Sequence, residues 1–222
     1  VDDCVVSGDV VNERKRRMSK IIAKIKRIGV FDTFRGLRRH QYYKTLQTEY
    51  HFDNWHLSPI EWRPYARDIV KEVNHLKPVS VYEVGCGLGD ILRKIHAKTR
   101  VGYDLSESAI KCAKYLDQKS EVKYETGTFD KIINQKIDCF ISVNFIHEIS
   151  SDDLKQIFAS LIKQNEIHYI VVDSVTGGGY KYHHDYVAIL PEEYQLMKKL
   201  GPYRTEENDS KRYVMIFEKT QV

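Results

Sequence analysis

The chain has 222 residues, of which 42% are hydrophobic and 30% charged, with a formal net charge of +4. That length suits one globular domain with an appendage better than two full domains, and the apolar share is enough for a buried core. No apolar run approaches the ~18 residues that a membrane span requires, and no signal peptide is visible, so a cytoplasmic location is the expectation.

The positive excess is local. Lys and Arg crowd residues 11–45, where the acids are Glu13 and Asp32. The cysteines Cys4, Cys86, Cys112 and Cys139 form no CxxC pair and read as free thiols.

In chain order, residues 1–10 read as a loose tail. From 12 to 28, Met18, Ile21, Ile22, Ile25 and Ile28 recur at helical spacing on an otherwise basic segment. Residues 31–60 are aromatic and read as irregular, and Pro64 opens a helix to about residue 75. Beyond Pro78, short apolar strands at 80–84, 100–103, 122–124, 137–143 and 167–172 alternate with amphipathic helices at 90–97, 107–116 and 151–163. Ser150 is the expected cap of the last helix. The alternation predicts a parallel sheet with helices on both faces. Strands at 203–207 and 212–218, joined by a turn at 208–210, predict a closing hairpin. The fold expectation is therefore α/β: a doubly wound, seven-stranded, mostly parallel sheet with a C-terminal antiparallel hairpin. It divides into an N-terminal helical cap, 1–60, and a Rossmann-like domain, 61–222.

The strongest motif is Glu83-Val84-Gly85-Cys86-Gly87-Leu88-Gly89-Asp90, an apolar strand running into three alternating glycines. Glycines permit a sharp turn and close approach of a ligand to the backbone. The next strand ends at Asp104, where a carboxylate can accept hydrogen bonds from a ribose diol. A dinucleotide fingerprint would carry glycine at the sixth position, where the pyrophosphate meets a helix N-terminus. Asp90 stands there and would repel a pyrophosphate. S-adenosylmethionine has no phosphate, and its methionyl ammonium is attracted by acids such as Glu83 or Asp90.

These residues resemble the first motif of the class I S-adenosylmethionine-dependent methyltransferases, over roughly residues 61–219. The resemblance implies S-adenosylmethionine as cofactor, held by Glu83, Gly85, Cys86, Gly87, Gly89, Asp104 and its neighbour Leu105. It also implies that Thr128 and Phe129, after Gly127, contact adenine, although Thr128 stands where the family often has an acid. Asn144 and Phe145 would complete the cofactor site at the end of the fourth strand.

The segment 145–153 is similar to the matching part of small-molecule O-methyltransferases, some of which use a histidine at the position of His147 as general base. A base near neutrality assists loss of a hydroxyl proton; packing beside the cofactor is the other reading of His147. Asn144 is followed by Phe145 and Ile146 rather than two prolines, which argues against methylation of nucleobase amines. Trp55 and His56 suit a substrate lid, Glu148 lies beside His147, and the loop bearing His183 and His184 suits substrate contact. A metal at Asp173 would need a third ligand beyond adjacent histidines, so none is assigned.

The expected reaction is O-methylation of a small molecule or of a sugar or glycan hydroxyl. The basic N-terminal helix leaves three possibilities: packing on the core, peripheral contact with a membrane, or docking of an RNA or protein acceptor. A non-catalytic cofactor-binding module is the remaining alternative.

Overall fold

The computed structural model describes residues 3–119, 121–177, 180–204 and 210–220. Two long helices, α1 (Asp3–Ile28) and α2 (Val30–Tyr50), precede α3 (Pro64–Leu76). The sheet then builds from β1 (Ser80–Val84), β2 (Thr99–Asp104), β3 (Lys123–Thr126), β4 (Lys136–Ser142), β5 (Glu166–Thr176), β6 (Tyr194–Arg204) and β7 (Lys211–Lys219). Helices α4 (Glu107–Leu116), α5 (Ser151–Gln164) and the one-turn α6 (Tyr186–Ile189) complete the chain.

The seven strands lie in the order β3-β2-β1-β4-β5-β7-β6, with β1 to β5 parallel and β7 antiparallel to both β5 and β6. Side chains alternate between two cores, as strand geometry requires. Tyr82 and Phe140 face a cluster with Phe158 of α5 and Tyr186 of α6. Val81, Cys139 and Ile141 face one with Ile69 and Val73 of α3 and Ile110 of α4. The chain turns to opposite sides of the sheet after β1 and after β4. This opens a crevice beyond their carboxyl ends, where ligands of open α/β sheets bind.

Four sequence expectations need correction. The helix expected at 90–97 is a single tight turn at Leu92–Lys94. Its backbone groups are diverted: Asn74 accepts from the His96 N–H at 2.7 Å and donates to the Lys94 carbonyl, while Arg100 donates to the carbonyls of Leu92 and Ile95. A helix has no use for those outside partners, and the turn satisfies the groups instead.

Residues 31–50, expected to be irregular, form α2. The buried Thr33, Gly36, Tyr43 and Leu46 fall on one helical face. Aromatic-rich composition and Gly36 hide that periodicity, yet a Cβ at Gly36 would strike the indole of Trp62. Residues 3–10, expected as a tail, prolong α1, since adding residues to an existing helix costs less than starting one. Finally, the hairpin strand expected at 203–207 begins at Tyr194. The solvent-facing, lysine-bearing course of this edge strand masks the apolar alternation. The expected turn and the end of that strand, 205–209, lie outside the described residues.

Elsewhere the correspondence is close. α5 is capped by the Ser150 hydroxyl, which accepts from the Asp153 N–H. Cys86, Cys112 and Cys139 are buried and free. Among the described residues, no helix is long and apolar enough to cross a membrane.

Candidate active site

A cleft of about 780 Å³ opens beyond the ends of β1, β2 and β4. Its floor is the glycine loop. The N–H groups of Gly85 and Cys86 donate to the Tyr103 carbonyl at 2.8 and 3.0 Å, which ties the loop to β2. Gly85 and Gly87 have φ of 83° and 51°, the region that glycine alone adopts freely. A Cβ on Gly87 would lie 2.8 Å from the His56 imidazole. The loop is thus shaped for close approach from the cleft side.

Two carboxylates face this floor. Asp104 Oδ2 accepts the Gly87 N–H at 2.8 Å and Oδ1 accepts the Ser106 N–H at 2.9 Å. Glu83, 2% exposed, has no hydrogen-bond partner for Oε2. Burial pushes its pKa up to about 8, with Asp90 and Asp104 adding to the shift and Arg63 opposing it.

Asp90 is different. Burial alone would raise its pKa, but Arg63 and Arg93 outweigh that and hold it below the usual carboxylate range. Its oxygens accept from Arg63 Nη2 at 2.6 Å, Arg93 Nη2 at 2.7 Å and the Tyr43 hydroxyl at 2.6 Å. Of the two acids suggested for an ammonium, Asp90 is consumed by the scaffold and Glu83 is open.

At the end of β4, Asn144 has φ of 55° and its N–H donates to Asp173 Oδ1 at 2.8 Å. Asp173, fully buried on β5, also pairs with Arg212 of β7. Arg212 Nη2 donates to Asn144 Oδ1 at 2.7 Å and to the Tyr180 hydroxyl at 3.0 Å, and its guanidinium lies 4.5 Å from the Tyr65 ring centre. His147 sits behind this network, 3% exposed, with Nε2 3.3 Å from Asp173 and its ring 4.6 Å from that of Tyr180. Burial, then the Arg212 charge, lowers its pKa to about 4, against a smaller opposing pull from Glu148. The imidazole is neutral at neutral pH.

Residues 81–164 match the family described as "Methyltransferase domain". The structure is similar to magnesium protoporphyrin IX methyltransferase (ChlM) from Synechocystis PCC 6803 with bound S-adenosylmethionine, at 14% identity. That match covers 85% of this chain and 97% of that one, with a TM-score of 0.61. It is also similar to the N-methyltransferase NodS from Bradyrhizobium japonicum WM9 in complex with S-adenosyl-L-homocysteine: 15% identity, 81% and 98% coverage, TM-score 0.61. The chain thus carries a methyltransferase domain over residues 81–164 and shares the fold of class I methyltransferases. TehB from Haemophilus influenzae shares the fold as well, at 13% identity and a TM-score of 0.57. There the match covers 69% of this chain and 62% of that protein's length. A search of curated protein sequences found no match. The two neighbours ChlM and NodS were solved with S-adenosylmethionine and S-adenosyl-L-homocysteine bound, respectively.

Glu83, Gly85, Cys86, Gly87, Asp104, Leu105, Asn144 and Phe145 all line the cleft, as do Trp55, His56 and Glu148. Trp55 Nε1 donates to His56 Nε2 at 3.1 Å, so the two form one wall. Gly89 shapes the loop, with φ of 74°, without lining the cleft.

Other residues named from the sequence lie elsewhere. Phe129 packs among Phe140, Phe145 and Phe158, behind the cleft wall, and neither it nor Thr128 lines the cleft. His184 is buried between Ser151 Oγ at 3.1 Å and the Ile146 carbonyl at 3.1 Å, which fastens its loop to the start of α5. The exposed His183 has Nδ1 2.6 Å from the Val175 carbonyl. Neither histidine lines the cleft, because the loop folds back on β5 and α5.

Arg63, Tyr65, Tyr180 and Arg212 went unmarked in the sequence. The one available signal is their residue type, arginine and tyrosine in loops or near the ends of elements. No spacing links them to the glycine motif.

Proposed function

We propose that the protein transfers a methyl group from S-adenosylmethionine to a hydroxyl oxygen of a small molecule or of a sugar or glycan. The observation that carries the cofactor half of this reading is Glu83 Oε2, a buried carboxyl oxygen without a partner on the floor of the cleft. Leaving such an atom unsatisfied is costly, and a methionyl ammonium donating to it removes the cost. Asp104 retains free lone pairs on both oxygens beside its backbone bonds, which suits two ribose hydroxyls. Leu105 and Phe145 are the apolar neighbours available to adenine in the cleft, in place of the expected Thr128 and Phe129.

When bound, S-adenosylmethionine supplies an electrophilic methyl carbon, which bonds to the acceptor oxygen as the C–S electron pair stays on sulfur. The residues contribute mainly alignment of the reacting groups and exclusion of water. Trp55, His56 and the residue 1–60 region serve as the cap over the cleft. His147 remains the candidate to accept the hydroxyl proton. Asp173 orients its ring through Nε2, which leaves Nδ1 as the proton acceptor. Tyr180, whose ring lies 4.6 Å from that of His147, lines the cleft. The hydroxyl reading is supported by this neutral imidazole and by the absence of a double proline after Asn144.

The test is single-turnover methyl transfer to matched hydroxyl and amine acceptors, comparing the parent with His147→Ala across pH. The substitution should lower the rate about 10²–10⁴-fold while S-adenosylhomocysteine affinity holds. The parent should be flat through neutrality, with activity falling only as pH drops towards about 4, where the imidazole takes up a proton. Turnover of amines alone contradicts the hydroxyl assignment. A loss under about tenfold with an unchanged profile removes the base role from His147.

A further inference from the structure

Beside the cofactor cleft lies a second cavity of about 540 Å³, and Trp55, Ser58, Arg63 and Tyr65 line both. Lys24, Arg27, Arg63, Arg204 and Arg212 bring five cationic side chains to its wall, and its described lining includes no Asp or Glu. Trp62 and Tyr203, with the shared Trp55 and Tyr65, supply aromatic faces. We infer that this cavity is the acceptor subsite and that the acceptor is a hydroxylated ring bearing a carboxylate or phosphate. The inference rests on the methyl-transfer reading above and names the acceptor's chemistry.

Arg63 meets Asp90 and Arg212 meets Asp173, both carboxylates that lie outside the cavity's described lining. Arg212 is held there by Asp173, Asn144 and Tyr180, whereas Arg63 is not used up. Arg63 engages Asp90 through Nη2, and its buried Nε has no hydrogen-bond partner. Lys24 holds its ammonium 3.2 Å from the centre of the Trp62 ring, and the exposed Arg204 stands at the end of β6.

Like charges gathered around a partly enclosed space repel one another, and an anion entering that space reverses the sign of the interaction. Guanidinium forks match the paired oxygens of carboxylate and phosphate. The aromatic faces suit the apolar face of a ring held between them. The volume is that of a small-molecule site, with room for a substituted sugar ring. Arg63 and Tyr65, common to both cavities, put the anion's ring next to the cofactor cleft.

The chain contains two tryptophans, Trp55 and Trp62, and both line this cavity, so intrinsic fluorescence reads its occupancy. The experiment first measures S-adenosylhomocysteine binding by calorimetry. It then titrates the loaded protein with glucose, glucuronate and glucose 1-phosphate. Glucuronate, glucose 1-phosphate or both should saturate the fluorescence change at concentrations at least about tenfold below glucose, as charge-assisted bonds predict. The preference should shrink in about 0.5 M salt. It should disappear in Arg27→Glu/Arg204→Glu, whose positions are exposed and do not line the cofactor cleft, while S-adenosylhomocysteine still binds. Whichever anion saturates first identifies the carboxylate or the phosphate as the favoured group. Equal binding of glucose and both anions, or no saturation by either anion, overturns the inference and leaves the cofactor reading standing if S-adenosylhomocysteine binds. Failure of S-adenosylhomocysteine to bind the parent overturns both.

Discussion

Asp104 holds the glycine loop and faces the cleft at once, since each oxygen accepts one backbone N–H and has a lone pair to spare. Asp104→Ala should therefore weaken S-adenosylhomocysteine by about 1.5–3 kcal/mol, the value of lost hydrogen bonds to a charged group. Calorimetry measures this, with thermal unfolding as the control for folding. Unchanged affinity would mean that the ribose lies elsewhere. That Asp104 and Glu83 face the cleft was readable from the sequence, because each stands at the end of an apolar strand beside the glycine motif. His147 was readable by position, but its environment was not. The cause of its low pKa, burial beside Arg212, comes from a residue 65 places downstream on another strand. Arg63 illustrates the same limit: it reaches Asp90 across 27 residues, and no local pattern announces the pairing.

At the scale of elements, the glycine loop takes support from α2, which precedes the sheet in the chain. The loop's sequel is a tight turn rather than a helix, and α2 fills the space. Tyr43 and Leu46 of α2 share a buried cluster with Leu88 of the loop and Ala109 and Cys112 of α4. The Tyr43 hydroxyl, held by burial in its neutral form, donates to Asp90 at 2.6 Å. Tyr43→Phe removes that bond and leaves the ring in place. It should cost about 1.5–3 kcal/mol in unfolding free energy and loosen the loop, so that cofactor affinity falls as well. Chemical denaturation and calorimetry on one preparation check both effects; a variant with parental stability would show that α2 does not brace the loop. This coupling was hidden in the sequence. The apolar spacing of 90–97 suits a helix equally well, and only the diversion of its backbone groups to Asn74 and Arg100 decides against one.

Across the whole molecule, the mostly parallel sheet and its doubly wound connections were legible because short apolar runs alternated with amphipathic period-3.6 ones, whereas the strand order was not read from the sequence. The reversal between β1 and β4 then defines where a ligand sits. Two buried groups at that reversal titrate in opposite senses. His147, lowered from 6.5 to about 4, contributes stability that is present above the unfolded value and lost as pH falls towards 4. Glu83, raised from 4.5 to about 8, binds its proton more tightly in the folded, ligand-free protein, so stability declines as pH rises between those values.

An ammonium placed against Glu83 removes that proton. The direct test is calorimetry of S-adenosylhomocysteine binding at about pH 7 in buffers of differing ionisation enthalpy, for the parent and Glu83→Gln. The account predicts one-to-one binding by the parent with release of about one proton, and weaker binding by Glu83→Gln with no release. Tight binding without proton release, or release that persists in Glu83→Gln, would contradict the placement of the methionyl ammonium on Glu83.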